Sequence, residues 1–501
     1  MTINKRLFFL ILGPLVFLIL QLLGSPQGMP DRAYSMLAIT LWMAIWWTSE
    51  VIPIGVTALL PIVLFPLTGS VDIATTTASF GHKYIFLYMG GFMLAIAIEK
   101  WNLHKRIALH IIRIIGTDVT RIILGFMLAT SFLSMWISNT ATAVMMLPIG
   151  MSIVSQLKDN PLTEKDENLI FGKALMLSIA YSASIGGIAT LIGTPPNLVF
   201  AGFITENYHI EISFWSWMKI GLPISLVLLI IGWYYLTHYA FTFKQKKFPG
   251  GVQEIERLLH NLGPMQKEEK VVLAVFVLTA FCWITRSFLL QRIAPQIDDT
   301  IIAIIAGIIL FILPTTKKGH TIINWKEAVK MPWGIILLFG GGMALASGFE
   351  VTGLANWFGS QVKLLNGMTI LTLVFIIITA VNFITEVTSN LATTAMLLPI
   401  LAPVALSLDI NPYMLMVATT LAASCAFMLP VATPPNAVVF GSGYLKIPDM
   451  IKTGFWMNII SILLLTLIVY FMLPVVWDFD PKDIKLFRDA VGEQVLTNTG
   501  K

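Results

Sequence analysis

Residues Ser134 to Ile149 read SMWISNTATAVMMLPI, and a near copy, TEVTSNLATTAMLLPI, occupies Thr385 to Ile400. Ser138-Asn139 and Ser389-Asn390 are 251 residues apart, and the same offset lays Gly90-Gly91-Phe92 on Gly341-Gly342-Met343 and Glu99 on Glu350. A second pair follows: GTPPN from Gly193 to Asn197 and ATPPN from Ala432 to Asn436. Paired polar, Pro-broken motifs inside apolar sequence are the mark of an internally duplicated membrane carrier whose site lies at the bilayer midplane.

The surrounding composition agrees. Of the 501 residues 56% are hydrophobic and 12% charged, and the mean hydropathy is +0.82, far from the range of soluble domains. The chain reads as an all-α polytopic membrane protein. A net charge of +5 would suggest nucleic acid in a soluble protein; here the basic residues are anchors of cytoplasmic loops, and no basic stripe of the kind nucleic acid needs is present. Cys282 and Cys425 are isolated in apolar runs, with no disulfide frame or metal spacing. The spans carry no Ser-His-Asp set, metal-ligand His/Cys set or phosphate loop, so the chain does not read as an enzyme. Leu7 to Leu23 follows Lys5-Arg6 without a small-x-small cleavage site, and reads as a first membrane helix rather than a signal peptide.

Crossing a bilayer core takes ~20 apolar residues. About 11 transmembrane helices are expected, at 7–24, 33–48, 54–68, 84–112, 170–204, 212–240, 270–290, 299–314, 333–360, 412–443 and 453–476. Two further segments, 121–156 and 368–409, hold the Ser-Asn motifs midway and read as re-entrant hairpins, since non-helical backbone at membrane depth needs protein or a water-filled cavity around it. Most of the 32 Lys and Arg fall on one side if the amino terminus is cytoplasmic, which leaves the carboxyl terminus outside. The expected organisation is a first helix and external loop (1–32), repeat 1 (33–240, hairpin 121–156, broken helix at 193–197), a cytoplasmic linker (241–269), repeat 2 (270–476, hairpin 368–409, broken helix at 432–436) and an external tail (477–501) read as a solvated end. Five spans per repeat is an odd number, so the repeats have inverted topology and one bundle can move as a body against the other.

Ser134 and Ser138 are spaced i, i+4, which in a helix places both on one face, with Asn139 where the helix breaks; Thr385, Ser389 and Asn390 repeat the pattern. Hydroxyl and amide oxygens, with carbonyls freed by unwinding, are hard neutral ligands suited to sodium; transition metals favour imidazole or thiolate. In Thr194-Pro195-Pro196 and Thr433-Pro434-Pro435 the prolines remove backbone donors and break the span into half-helices, whose amino ends suit an anion. No Lys or Arg lies in either motif pair, so a carboxylate would be met by Thr and Asn side chains, half-helix ends and bound cations. Taken singly, such Ser, Asn and Thr residues often bond helix to helix; their duplication is what favours a ligand role. Glu386 reads equally as a structural partner or a tuner of a cation site. Glu99 and Glu350 are expected near helix ends, His82 and His104 at interfaces, and Trp46, Trp47 and Trp101 as belt or packing residues.

At these residues the chain resembles the divalent anion/sodium symporter family, which includes sodium-coupled dicarboxylate and citrate carriers. The resemblance covers nearly the whole chain, from WWTSEVIPIGVTALLPI at Trp46 to Ile62 through both Ser-Asn motifs and both TPPN breaks, in family order. It implies a homodimer whose protomers each have a scaffold domain and a transport domain moving like an elevator. It implies one sodium site at Ser134, Ser138, Asn139 and the backbone of Gly193, and another at Thr385, Ser389, Asn390 and the backbone of Ala432. Substrate contacts are implied at Asn139, Thr140, Thr194, Pro195, Asn390, Thr433 and Pro434. One departure stands out: Leu391 replaces the hydroxyl residue of the full Ser-Asn-Thr form, which bears on substrate choice. The expected function is sodium-coupled symport of a di- or tricarboxylate such as succinate, malate or fumarate, with sodium as coupling ion and no organic cofactor, in a bacterial inner membrane. Sodium-independent dicarboxylate exchange and symport of sulfate are the alternatives.

Overall fold

The computed structural model describes residues 3–116, 118–158, 165–243, 251–361 and 367–490. Among these residues the structure is helical and contains no strand, as expected where lipid leaves every backbone polar group to be satisfied within its own segment. Eight of the described helices are long and apolar enough to cross a membrane, and six further apolar helices run 10–17 residues.

Three helices lead the chain: α1 (Ile3–Leu23), α2 (Asp31–Ser49) and α3 (Ile54–Leu67). The first copy continues through α4 (Lys83–Lys100), α5 (Leu103–Ile115), α6 (Val119–Ser134), α7 (Asn139–Lys158), α8 (Lys165–Ile188), α9 (Pro195–Tyr208) and α10 (Phe214–Tyr235). After the linker helix α11 (Gly251–Asn261) come α12 (Lys267–Thr285) and α13 (Asp299–Ile312). The second copy then repeats the pattern as α14 (Trp333–Val351), α15 (Leu354–Gln361), α16 (Ile370–Ile384), α17 (Asn390–Ser407), α18 (Pro412–Ala423), α19 (Pro434–Phe440) and α20 (Ile447–Leu467).

Two runs read as continuous spans, 84–112 and 333–360, each break in two. The breaks sit at Asn102 (φ 58°) and Gly353 (φ 77°), again 251 residues apart. Left-handed backbone is tolerated best by Gly and Asn, which is why those residue types close the helices. The short helices that follow are duplicated too; α5 buries Leu103, Ala108, Leu109 and Ile112 along one face.

The packing of the copies is crossed. Hairpin arm α7 packs on α8 of its own copy and on α19 of the other, while α17 packs on α18 and on α9. Each Ser-Asn turn is thereby brought against the TPPN half-helix of the opposite copy, which is how motifs 251 residues apart reach one place.

Charged side chains gather at the two ends of α4. At its start, Lys83 Nζ lies 3.7 Å from Glu211, and Arg286, 2% exposed, lies 2.9 Å from both Glu211 and Asp299. At its finish, Lys100 donates to Glu327 (2.8 Å) and to the Ile322 carbonyl (2.9 Å), and Arg106 pairs with Glu269. On the linker, Ser152 Oγ donates to Glu254 (2.6 Å), tying α11 to α7. Two N–H groups of Arg257 hold the Glu254 carboxyl below the usual carboxylate range.

The tail, read as a solvated end, is docked as far as it is described. Phe487 is fully buried, with its ring 4.9 Å from Tyr208 and 5.0 Å from Tyr413, and the Asn411 backbone N–H donates to the Pro481 carbonyl at 2.8 Å. Ile484 and Phe487, three residues apart, form an apolar face that the charge of the segment concealed. His104 is likewise core rather than interfacial: it is 2% exposed, its Nδ1 3.1 Å from the Ile98 carbonyl.

Candidate functional site

The prolines decide the local chemistry. In the first copy Pro195 and Pro196 have no N–H for the carbonyls one turn earlier, and the Asn197 N–H, which in a helix would reach Gly193, donates to the Thr194 carbonyl instead. The Gly193 carbonyl is left free. In the second copy the Asn436 N–H is taken by the Thr433 hydroxyl (3.3 Å), which frees the Ala432 carbonyl in the same way. The TPPN asparagines then hold the unwound stretches: Asn197 Nδ2 donates to the carbonyls of Gly187 (3.1 Å) and Thr190 (2.7 Å), and Asn436 Nδ2 to Leu429 (3.0 Å) and Ala426 (3.4 Å).

Against each stretch stands a Ser-Asn turn. The i, i+4 pair does not share a helical face as its spacing suggested: α6 ends at Ser134, the chain turns over 135–138, and Asn139 opens α7. Ser138 caps that helix, its Oγ accepting from the Ala141 N–H at 3.3 Å. Ser134 and Asn139 nevertheless meet, because the turn folds the asparagine back. Ser134 Oγ lies 2.6 Å from Asn139 Oδ1 and 2.6 Å from the Ala183 carbonyl. In the second copy Thr385 Oγ1 lies 2.8 Å from Asn390 Oδ1 and 3.0 Å from the Ala423 carbonyl.

Each hydroxyl therefore faces two acceptor oxygens with one proton to give, so one short O···O contact per copy has no hydrogen in it. Two chemistries resolve this. Turning the Asn139 amide over lets its nitrogen donate to Ser134 Oγ, the Ala183 carbonyl and the Gly193 carbonyl at 2.6, 3.1 and 3.3 Å. A small cation resolves it by keeping the oxygens inward, and hydroxyl, amide and carbonyl oxygens are the hard donors it needs. The carbonyls of Ala183 and Ala423 had no signal in the sequence, since a backbone oxygen inside a helix carries no residue signature.

The two turns and the two breaks line a single cavity of about 650 Å³. All seven expected substrate contacts line it: Asn139, Thr140, Thr194 and Pro195 from one copy, and Asn390, Thr433 and Pro434 from the other. Of the expected cation ligands, Ser138, Gly193, Ser389 and Ala432 reach the wall as well, while Ser134 and Thr385 stand behind it, fully buried. Leu391 lines the wall in the place that Thr140 takes in the first copy. Thr48, Ser49, Glu50, Ile54, Tyr88 and Ile335 close the remaining side. Among the described residues no Lys or Arg lines the cavity, and Glu50 is its one charged residue. The first turns of α7, α17 and α9 open at its wall, presenting the partial positive ends of helices 20, 18 and 14 residues long. Glu386 faces away from the cavity, toward the unwound segment at Phe427 to Leu429.

Comparison with known proteins matches this geometry to a family. The family described as the sodium:sulfate symporter transmembrane region matches residues 4–477. Proteins called sodium-dependent dicarboxylate transporter SdcS are 47% identical: the one from Staphylococcus saprophyticus over 482 residues (95% of this chain and 93% of that protein), and the one from Staphylococcus aureus strain USA300 over 481 (95% and 92%). Among solved structures the Alcanivorax borkumensis YdaH transporter superposes with a TM-score of 0.57 at 13% identity, covering 95% of this chain and 98% of that one. Neisseria gonorrhoeae MtrF gives 0.58 at 13% identity, covering 91% and 98%; at such identity these two share the fold alone. With the family profile spanning almost all of the sequence and relatives this similar along their length, the chain belongs to the sodium:sulfate symporter transmembrane-region family.

Proposed function

We propose that this protein is a sodium-coupled symporter that carries a small dicarboxylate across a bacterial inner membrane. The observation that carries the reading is the pair of oxygen clusters, one per copy, on opposite walls of a cavity that has no basic side chain among the described residues. Two monovalent cations held there would supply the positive charge that a dianion needs and the protein does not provide. Ser134, Ser138, Asn139 and the Gly193 carbonyl form one cation site; Thr385, Ser389, Asn390 and the Ala432 carbonyl form the other. The substrate carboxylates lie between them against Asn139, Thr140, Thr194-Pro195, Asn390 and Thr433-Pro434. The names of the 47% identical relatives support a dicarboxylate as cargo; the family description supports sulfate as the second reading.

The chain is a carrier rather than an enzyme, with no organic cofactor. Its amino terminus is cytoplasmic, because the Lys- and Arg-rich end of α4 then faces inward. On this orientation the cavity, with Ser49, Glu50, Ile54 and Ile335 in its wall, faces the cytoplasm. Transport requires the body formed by the two hairpins, α8–α10 and α18–α20 to slide against the remaining helices, an elevator motion in a homodimer. If more sodium charge moves than the substrate cancels, each net charge is worth ~2.3 kcal/mol per 100 mV.

The test is radiolabelled succinate uptake into proteoliposomes under an inward sodium gradient, with potassium or choline replacing sodium as control and sulfate and citrate as competitors. Uptake that needs sodium and rises with an inside-negative potential is expected. Stimulation by internal succinate without any sodium dependence would make the protein an exchanger and Ser134 and Thr385 packing residues. Competition by sulfate at succinate-like concentrations would move the cargo to inorganic dianions.

A further inference from the structure

Glu386 is 3% exposed and its carboxylate is enclosed by N–H groups. Oε1 accepts from the backbone of Phe427 (2.8 Å) and Met428 (3.0 Å) and from Asn458 Nδ2 (2.7 Å); Oε2 accepts from the backbone of Leu429 (3.0 Å) and Met428 (3.2 Å). Four donors and no acceptor face the two oxygens, the arrangement of an ionised carboxylate. Three consecutive backbone N–H groups aimed at one anion form a nest. The nest holds the start of the unwound segment that ends at Ala432, and Glu386 directly follows Thr385 in sequence, so this residue links that segment to the hydroxyl of the second oxygen cluster.

The first copy has no counterpart. The residue 251 positions earlier is Met135, and there the unwound stretch is fastened by the Thr190 hydroxyl donating to the Met135 backbone carbonyl. One cluster therefore stands beside a buried negative charge, and the other has Met135 in that place. An oxygen cluster beside a fixed charge binds a monovalent cation more tightly than the same cluster without one, because the low-dielectric interior screens the charge weakly.

We propose that Glu386 is a positioning residue for the second cation site: it braces the Phe427–Ala432 segment and supplies the charge that makes this the tighter of the two sodium sites, filled before substrate arrives. The first site, with Met135 in the equivalent place, reaches high occupancy only once the dianion is bound. The inference rests on the reading of Thr385, Ser389, Asn390 and Ala432 as cation ligands.

The experiment compares wild type with Glu386→Gln in proteoliposomes, measuring uptake against sodium concentration at saturating succinate, alongside sodium-induced thermal stabilisation in detergent. The sodium concentration for half-maximal uptake should rise on the order of tenfold, with the maximal rate largely recovered at high sodium and the stabilisation by sodium weakened. Glu386→Asp keeps the charge but draws it back from the nest, and should raise the half-maximal sodium concentration less, by about threefold. Wild-type sodium affinity in folded Glu386→Gln overturns the proposal whatever its melting temperature. Should that variant not fold, wild-type affinity in Glu386→Asp, together with a lowered melting temperature, overturns it as a bracing role alone. Absence of sodium activation in the wild type would instead remove the site reading on which the inference rests.

Discussion

Replacing Asn139 by Ala tests the site most directly, because the proposed function puts this amide in both the first cation site and the substrate wall. The substitution removes the Oδ1 contact to Ser134 Oγ or, with the amide turned over, the nitrogen's bonds to Ser134 Oγ and the Gly193 carbonyl. A hydrogen bond or ligand contact to a charged group is worth about 1.5–3 kcal/mol, which is roughly 10- to 150-fold in sodium affinity. The fold should be spared, since Ser134 Oγ still donates to the Ala183 carbonyl at 2.6 Å and Asn139 lies at a cavity wall rather than in the core. The assay is the sodium dependence of succinate uptake, with monodispersity and melting temperature as controls. Asn139→Asp separates the two roles: it keeps an oxygen ligand and adds charge, so sodium activation should survive while the KM for succinate rises. Wild-type sodium activation in Asn139→Ala, in protein that is folded, would falsify the assignment of the first cluster as a cation site.

Three more outcomes follow from the geometry. A Cβ at Gly193 would stand 2.5 Å from the Gly187 carbonyl oxygen, backbone against backbone, so Gly193→Val should abolish uptake and cost about 1–3 kcal/mol of stability, read by thermal denaturation with and without sodium. Leu391→Thr restores a hydroxyl at the wall opposite Thr140, and the ratio of citrate to succinate uptake should increase; an unchanged ratio would show that this position does not select the cargo. Arg286→Leu leaves Asp299, 3% exposed, without its cation, a loss of about 3–5 kcal/mol. Its melting temperature should fall while the half-maximal sodium concentration stays put, because the pair is remote from the cavity.

The duplication made the architecture legible before any coordinates. Apolar runs marked the spans, and Ser-Asn and Thr-Pro-Pro marked the places where helices stop. The breaks at Asn102 and Gly353 were less visible: an Asn and a Gly at the same offset are a helix-stop signal only once the copies are aligned, since either residue alone is tolerated within a span. The i, i+4 spacing of Ser134 and Ser138 misled, because a helical face was assumed where Ser138 is in fact a cap. The Ala183 and Ala423 carbonyls were beyond reach altogether, because their exposure depends on which neighbouring helix the turn folds against. Docking of Ile484 and Phe487 was hidden by the acidic and basic residues around them.

What separates the two copies bears most on function. Where residues pair across the duplication, as Asn139 with Asn390 or Asn197 with Asn436, the pair performs one task twice, and symmetry of that kind supports alternation of a common site between two faces of the membrane. Among the positions that differ between the copies, three that change polarity lie beside the clusters: Met135 against Glu386, Ile137 against Thr388, and Thr140 against Leu391. Thr388 reaches Thr393, hydroxyl to hydroxyl at 2.6 Å, while Leu391 is 4% exposed and presents only hydrocarbon. The second copy thus adds a charge behind its oxygen cluster and removes a hydrogen-bond donor in front of it. On the proposed assignment a cation gains from the first change and a carboxylate loses from the second, so this half of the site would favour sodium over cargo, and in the other half the balance would be reversed. A carrier that must load cation before anion needs such a gradient across its cavity, and an exactly symmetric pair of motifs would not provide one.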